Sequence, residues 1–334
     1  MVNEGRIEVD FASDWNLYSE AWNSSMQQYY WYRETPVFDF NKNEELDEMR
    51  SDFEKHDNLF LVARYSNYDK IIGILGLRYS DPMARIRRWE PAVVISSNTD
   101  EIRKALLRRA MEHLASIGVK RIGYLLKHPV NSPDTIEDLS SCFMDLGFEK
   151  TRPDSVDLIM PLDDLFQSNE PPIDVTIETG ENFTYEDLAS ITVKSFTSTP
   201  EEREIHGFDK TVTEYIQATS LMQRIAEGFY GPSPDEFRKV AVVDGVPAGF
   251  LGAFAIESKY KPLTGVLGPM AVLPSYRRRG IASYLISESL ISLRNHGCEY
   301  AAVGTPAKNL GAIRLYQKVG FQLACRLITL EKDL

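Results

Sequence analysis

Val272-Leu273-Pro274-Ser275-Tyr276-Arg277-Arg278-Arg279-Gly280-Ile281-Ala282 joins an apolar strand to an amphipathic helix. The strand runs from Val266 to Val272, breaks at Pro274, and gives way to a basic loop before a helix that starts near Ile281. A turn of this kind leaves backbone N–H groups without partners at a helix N-terminus, where the helix dipole is also positive. Arginines beside such a nest make a pyrophosphate site that needs no metal. Gly280 is the only glycine in the loop, and the chain contains no G-x-x-x-x-G-K-[ST], which excludes a Walker-type nucleotide loop. The competing reading is a solvated, arginine-rich turn. The rest of the chain decides between the two.

The 334 residues are enough for two domains, and 43% hydrophobic residues can fill a core in each. The opening Met-Val-Asn-Glu-Gly-Arg holds no apolar stretch of signal-peptide length, and no run approaches a membrane span. A cytoplasmic protein with no membrane partner is expected. Cys142, Cys298 and Cys325 stand alone in apolar contexts, without metal-ligand or redox spacing, and read as reduced core residues. Five scattered histidines form no H-E-x-x-H cluster, so no metal is expected. A net charge of −12 speaks against a nucleic-acid partner, because phosphate contacts need a basic face. It leans instead towards a cationic acceptor, since an acidic surface concentrates amines.

The chain reads as one unit written twice. Phe60-Leu61-Val62-Ala63-Arg64 matches Lys239-Val240-Ala241-Val242-Val243, and Gly73-Ile74-Leu75-Gly76 matches Gly249-Phe250-Leu251-Gly252. Ala92-Val93-Val94 precedes a helix as Ala271-Val272-Leu273 does. Helices predicted over 101–117 and 281–296 end at Gly118 and Gly297, a left-handed C-cap position. Strands follow at Arg121–Leu125 and Tyr300–Gly304, and then Cys142–Phe148 matches Leu315–Phe321. Ser168-Asn169-Glu170-Pro171-Pro172 is the polar, proline-bearing link between the halves.

In the second half a strand over 174–179 leads to a helix over Tyr185–Phe196, with Thr184 as its N-cap. A polar loop from Thr197 to Lys210 precedes a helix over Val212–Phe229. Asp244-Gly245 marks a hairpin between strands 239–243 and 246–256. Strand 264–272, helix 281–296, strand 299–304, helix 309–319 and a final strand 321–331 close the unit. Strands that first meander and then cross over through helices give a mixed sheet of α+β or α/β class.

Arg277-x-x-Gly280-x-Ala282 resembles the R/Q-x-x-G-x-G/A signature of the GNAT acyltransferase superfamily, which holds the pyrophosphate of acetyl-CoA. Downstream, Asn309-x-x-Ala312-x-x-Leu315-Tyr316-x-x-x-Gly320-Phe321 puts Asn309, Ala312 and Tyr316 on one helical face at i, i+3 and i+7. It resembles the family's N-x-x-A-x-x-x-Y-x-x-x-G-F segment, in which the Asn and the small residue face the CoA arm. The tyrosine hydroxyl there lies beside the thioester sulfur. The resemblance is strong over about 174–334 and reaches 1–165 through the repeat. It implies two tandem GNAT-like domains of α/β (α+β) class, each a mixed, mostly antiparallel sheet flanked by helices. The expected boundaries are a degenerate domain at 1–165, a linker at 166–173 and a catalytic domain at 174–334. It further implies acetyl-CoA as co-substrate. The residues expected to bind it are Met270, Ala271 and Val272 at the strand end, Arg277, Arg278, Arg279, Gly280, Ile281 and Ala282 in the loop, and Asn309 and Ala312 beyond.

Aligning Gly118 with Gly297 without gaps puts Asn98 opposite Arg277, Glu101 opposite Gly280 and Arg103 opposite Ala282. A glutamate at the loop's centre repels a pyrophosphate and blocks close backbone approach. Phe143 stands where Tyr316 stands, so the first copy also lacks the hydroxyl. The N-terminal copy is therefore expected to bind no CoA and to shape the acceptor cleft or a homodimer.

A neutral amine must attack the acetyl carbonyl while donors stabilise the developing oxyanion. By resemblance, N–H groups at Ala271 or Val272 are the candidates. A phenol of pKa about 10 stays protonated near neutrality and can protonate a departing thiolate, the role expected of Tyr316. The strand before the loop, Thr264–Met270, offers no carboxylate as base. Glu257, Glu204 and His206 are the candidates, alongside a water chain. Tyr29-Tyr30-Trp31-Tyr32 with Phe38 and Phe40 reads as core or interdomain filler, with an aromatic acceptor wall as the alternative. Ala84-Arg85-Ile86-Arg87-Arg88 reads as a solvated strand and Arg108-Arg109 as a polar helix face. The resulting expectation is an acetyl-CoA-dependent N-acetyltransferase acting on a primary amine of a small molecule. A Fem-type aminoacyltransferase and a non-catalytic acyl-CoA-binding module are the alternatives.

Overall fold

Asn58-Leu59-Phe60-Leu61-Val62-Ala63-Arg64-Tyr65 buries both faces of one strand. Leu59, Leu61 and Ala63 enter one apolar core while Phe60 and Val62 enter another. Such a run requires helices on both sides of its sheet. The computed structural model describes residues 5–28, 42–87, 90–95, 97–130, 136–163, 171–257 and 262–334. In chain order the elements are β1 Ile7–Phe11, α1 Trp15–Gln28, α2 Lys42–Phe53, β2 Asn58–Tyr65, β3 Tyr68–Ser80, β4 Met83–Ile86, β5 Ala92–Val93 and α3 Thr99–Ser116. There follow β6 Arg121–Pro129, α4 Ile136–Met144, β7 Glu149–Lys150, β8 Ser155–Pro161, β9 Val175–Thr179, α5 Tyr185–Phe196 and α6 Pro200–His206. The chain continues with α7 Lys210–Thr213, α8 Tyr215–Ala226, β10 Lys239–Val243, β11 Val246–Ile256 and β12 Thr264–Val272. It closes with α9 Ile281–Asn295, β13 Tyr300–Pro306, α10 Leu310–Val319 and β14 Gln322–Asp333.

Two compact units result, Met1–Asp154 with Cys325–Leu334, and Ser155–Ala324. In the first, strands run in the order β1-β2-β3-β4-β6-β14, antiparallel except for the parallel pair β4–β6. Leu106, Leu107 and Leu114 of α3 cover one face, and Tyr18, Trp22 and Met49 of α1 and α2 cover the other. In the second, the order is β8-β13-β12-β11-β10-β9, antiparallel except for β12–β13. Leu285, Leu290 and Leu293 of α9 cover one face, with Leu188 of α5 and Met222 of α8 on the other.

The repeat is visible in how helices stop. Gly118 (φ 89°) donates to the Ala115 carbonyl and Val119 to that of Leu114; Gly297 (φ 96°) donates to Arg294 and Cys298 to Leu293. The same pair of bonds ends α4 at Gly147 and Phe148, and α10 at Gly320 and Phe321. These are Schellman closures, which need a left-handed residue that glycine supplies without strain. Gly73 and Gly249 also correspond, since a Cβ at either would press on the covering helix, on Leu106 of α3 or Leu285 of α9.

Three expectations are corrected. The final strand does not close the C-terminal unit: Cys325–Asp333 of β14 pairs with β6, and β8 supplies the partner of β13 instead. The units therefore divide the chain differently from 1–165 and 174–334, because a strand's periodicity does not specify which edge it joins. The loop expected over Thr197–Lys210 contains α6. Thr199 caps it by accepting the Glu202 N–H at 3.1 Å, and Asp209 caps α7 by accepting that of Thr211 at 3.0 Å. Arg87 is not solvated; its guanidinium is buried against Asp52 at 2.6 Å. Cys142, Cys298 and Cys325 are buried free thiols. Tyr29–Tyr32, Phe38, Phe40 and Arg88 lie outside the described residues.

Candidate functional site

The site begins where two parallel strands part. β12 and β13 pair from Thr264↔Tyr300 to Leu267↔Val303 and no further. Beyond that point β12 stays with β11 through Met270, Ala271 and Val272, while β13 stays with β8 through Gly304, Thr305 and Pro306. A register shift between Leu251 and Ala253 sets Gly252 against Gly268 and Pro269, a bulge that bends β12 away from β13. The β12 edge past Leu267 has lost its strand partner, and two adjoining cavities occupy the wedge.

The larger cavity, of about 690 Å³, is lined by Met270, Ala271 and Val272 on one side and by Asn309 and Ala312 on the other. Its end wall is Arg277, Arg278, Gly280, Ile281 and Ala282. Pro274 starts a single 3-10 turn, Arg278 (φ 63°) and Gly280 (φ 83°) are left-handed, and α9 begins with no side-chain cap and no acid in its first turn. Among the described residues no acceptor meets the backbone N–H groups of Arg278 to Ala282. Five orphan donors with the positive end of α9 behind them form an anion cradle. Arg314 and Lys318 add cationic side chains to the wall. The motif did not point to them, although their i, i+4 spacing on α10 puts both on one helix face, beside Gly311 and Leu315.

Arg277 has a different occupation from its neighbours. Its Nε donates to the Val272 carbonyl at 3.0 Å, one terminal nitrogen to Glu202 Oε1 at 2.7 Å, and the other to the Ser195 carbonyl at 2.9 Å. The guanidinium thus ties the end of β12 to α5 and α6. Arg279 stacks over Tyr276 at 5.8 Å and does not line the cavity.

The smaller cavity, of about 410 Å³, lies deeper in the wedge, between Leu267–Met270 and Val303–Pro306. Tyr316, 5% exposed, lines it and packs edge-on against Phe321 at 5.8 Å. Burial pushes its phenol well above the ordinary range, so it stays protonated. Phe196, His206, Met270, Asn309 and Ala312 line both cavities. His206 ends α6 and is also 5% exposed. Its Nε2 is 3.5 Å from Asn309 Nδ2 and 3.8 Å from Glu202, and its ring packs on Phe196 at 4.4 Å. Burial lowers its pKa, with Arg277 in the same direction and Glu202 and Asp209 opposing, so the neutral imidazole is favoured.

Ten of the eleven residues expected at the co-substrate therefore line one cavity, Arg279 being the exception. Of the expected bases, Glu257 follows β11 and lines neither cavity. Glu204 is exposed and paired with Lys308 at 3.1 Å. Only His206 reaches the wedge. The sequence held no local signal for that, since the histidine arrives from a helix far from the loop. Among the described residues no group of three His, Cys, Asp or Glu is arranged to hold a metal, and no helix is long and apolar enough to cross a membrane.

Residues 201–321 match the Acetyltransferase (GNAT) family. Over 63 residues the chain is 36% identical to the N-alpha-acetyltransferase MAK3 of Arabidopsis thaliana, which spans 19% of this chain and 33% of that protein. Over 99 residues it is 33% identical to an aminoglycoside N(6')-acetyltransferase type 1 of Salmonella typhimurium, spanning 28% of this chain and 67% of the relative. A solved tandem GNAT protein from the clavulanic acid biosynthesis pathway superposes with a TM-score of 0.52 at 15% identity, covering 98% of each chain, which is a likeness of fold.

Proposed function

Since the chain belongs to the GNAT acetyltransferase family, whose members use acetyl-CoA, we propose that it transfers the acetyl group of acetyl-CoA to a primary amine of a small molecule. One observation carries this reading: an anion cradle with five orphan N–H groups adjoins a second cavity that holds a buried, protonated phenol, and His206 and Asn309 border both. The residues present suit acetyl-CoA, because Arg278, Arg314 and Lys318 add positive charge to a cradle made for a pyrophosphate.

His206, neutral in this setting, takes the proton of the incoming ammonium, directly or through one water. The amine nitrogen then bonds to the thioester carbonyl carbon. N–H groups on the unpaired edge of β12, at Ala271 or Val272, receive the charge that develops on oxygen. The carbon–sulfur bond breaks and the sulfur leaves with its electron pair, taking a proton from Tyr316; the extra proton on the acylated nitrogen passes through water to the Tyr316 oxygen, which restores the phenol, and His206 releases its proton to solvent. Products are the acetamide and free CoA. Asn309 and Ala312 hold the arm of the co-substrate, and Arg277 positions α5 and α6 without needing to touch it.

The N-terminal unit is proposed to bind no acetyl-CoA, so a titration is expected to give one site per chain; two would overturn this. The transfer itself is tested by thiol release from acetyl-CoA with a primary amine present. Tyr316→Phe is expected to lower kcat by roughly 10² to 10³ with acetyl-CoA affinity unchanged. Near-normal turnover in that variant would remove Tyr316 as the acid.

A further inference from the structure

We infer that the acceptor is a small primary amine carried on a compact apolar, aromatic body and bearing one positive charge, rather than a polyamine or an aminosugar. This rests on the proposed acetyl transfer and concerns the same site. The 410 Å³ cavity is at the small end of ligand sites. Besides Tyr316, four aromatic rings line it, Phe196, Phe208, Tyr230 and Phe254, together with Leu221 and Ile225. Tyr230 and Phe254 stand 5.5 Å apart with planes tilted by 34°, an aromatic pair against which a further ring can pack in offset or edge contact. Phe229, 70% exposed, continues the aromatic surface outwards from Tyr230 at 5.0 Å.

Charge in the wall is sparse. Among the described residues Asp209 is the single carboxylate lining this cavity. Its Oδ1 already accepts the Thr211 N–H at 3.0 Å and the Thr211 hydroxyl at 2.6 Å. The face of Tyr230 is shared with the Arg224 guanidinium, 5.6 Å from the ring centre, which disfavours a second cation there. One ammonium is thus provided for, drawn in by Asp209 and neutralised at His206. Each further ammonium would enter a mostly apolar wall that offers no second carboxylate, which disfavours a cation. An aromatic body instead exchanges water for apolar contact over its whole surface.

Initial rates of CoA thiol release by the full chain with 2-phenylethylamine, spermidine and kanamycin decide the matter. The expected result is a kcat/KM for 2-phenylethylamine at least ten times that for either polycation. A polycation used equally well or better overturns the substrate class and leaves acetyl transfer standing. No thiol release with any of the three, in a protein that binds acetyl-CoA, overturns acetyl transfer and this inference together. Tyr230→Ala, at a position 36% exposed, is expected to raise the KM for 2-phenylethylamine at least tenfold with acetyl-CoA affinity and melting temperature unchanged. An unchanged KM in Tyr230→Ala and in Phe208→Ala alike would show that this cavity does not hold the acceptor.

Discussion

Helices α3 and α9 end alike and begin differently. Counted back from Gly118 and Gly297, Ile102 matches Ile281 and Leu106 matches Leu285, all four buried in their units. At the other end α3 has 18 residues against 15 in α9, because Thr99, Asp100 and Glu101 continue the helix where α9 gives way to the Arg277–Gly280 loop. Asn98 (φ 52°) takes the left-handed cap position that Gly280 holds in the other copy. The added turn carries two carboxylates at the positive end of its own dipole, and Lys104 pairs with Asp100 at 2.7 Å and with Asp145 at 2.8 Å. The N-terminal copy has supplied its own anion.

The matching glycines of the central strands differ in the same sense. In the C-terminal unit Gly252 faces Gly268 and Pro269, which line the smaller cavity. In the N-terminal unit the matching Gly76 donates its N–H to Glu90, a carboxylate only 1% exposed that also accepts the Tyr18 hydroxyl at 2.9 Å. Under the proposed function one framework serves two ends: donors left open would make a binding site, and donors answered from within would make a scaffold. The difference lies in a few acids rather than in the fold.

Giving the open copy a carboxylate of its own in the first turn of α9 should have the largest effect. Ala282→Glu places a carboxylate in the first turn of α9, where the dipole favours it, so stability is kept while the anion cradle is filled. Acetyl-CoA affinity is expected to fall at least a hundredfold, about 2.7 kcal/mol, by calorimetric titration with melting temperature as the control. Next comes His206. Glu202, Asp209, Arg277, Asn309 and Phe196 surround it, and burial disfavours its cation. The acid limb of kcat/KM should therefore lie below the ordinary histidine value of about 6.5, with activity lost as pH falls through it. His206→Gln should remove that limb and lower kcat/KM about thirtyfold; an unchanged limb would make the base something else.

Smaller effects are expected in the N-terminal unit. Glu90→Gln keeps the shape but weakens the bonds from Gly76 and Tyr18. A loss of about 1–2 kcal/mol is expected by denaturant unfolding, with acetyl-CoA stoichiometry still one. A second bound molecule would show that the carboxylate alone closes that copy. Phe143→Tyr restores the missing hydroxyl among Tyr124 and Phe148, which pack against Phe143 at 5.0 and 5.3 Å. It is expected to be the mildest change, costing about 1 kcal/mol for a poorly bonded buried hydroxyl and adding no activity.

Much of the C-terminal unit was legible because its signals are local. Thr184 caps α5 and shares a capping box with Asp187, both bonds measuring 3.1 Å, and the helix spans Tyr185–Phe196 as the pattern predicts. Asp244 and Gly245, with φ of 51° and 74°, make the hairpin turn that an Asp-Gly pair favours. α6 was not read, although Thr199-Pro200-Glu201-Glu202 is an N-terminal cap signature, because the polar residues beyond it masked the helix.

By itself the sequence determined the period of each strand and helix, the glycines that stop the helices, the duplicated order of elements and the loop that ends at Gly280. All of these depend on a residue and its near neighbours along the chain. Tertiary structure alone decided that β14 pairs with β6 while β8 pairs with β13, that Arg277 is engaged in holding α5 and α6, and that His206 rather than Glu257 or Glu204 stands in the wedge. Those outcomes depend on which strand edge is free and on burial shared by segments far apart in sequence, and no local period encodes either.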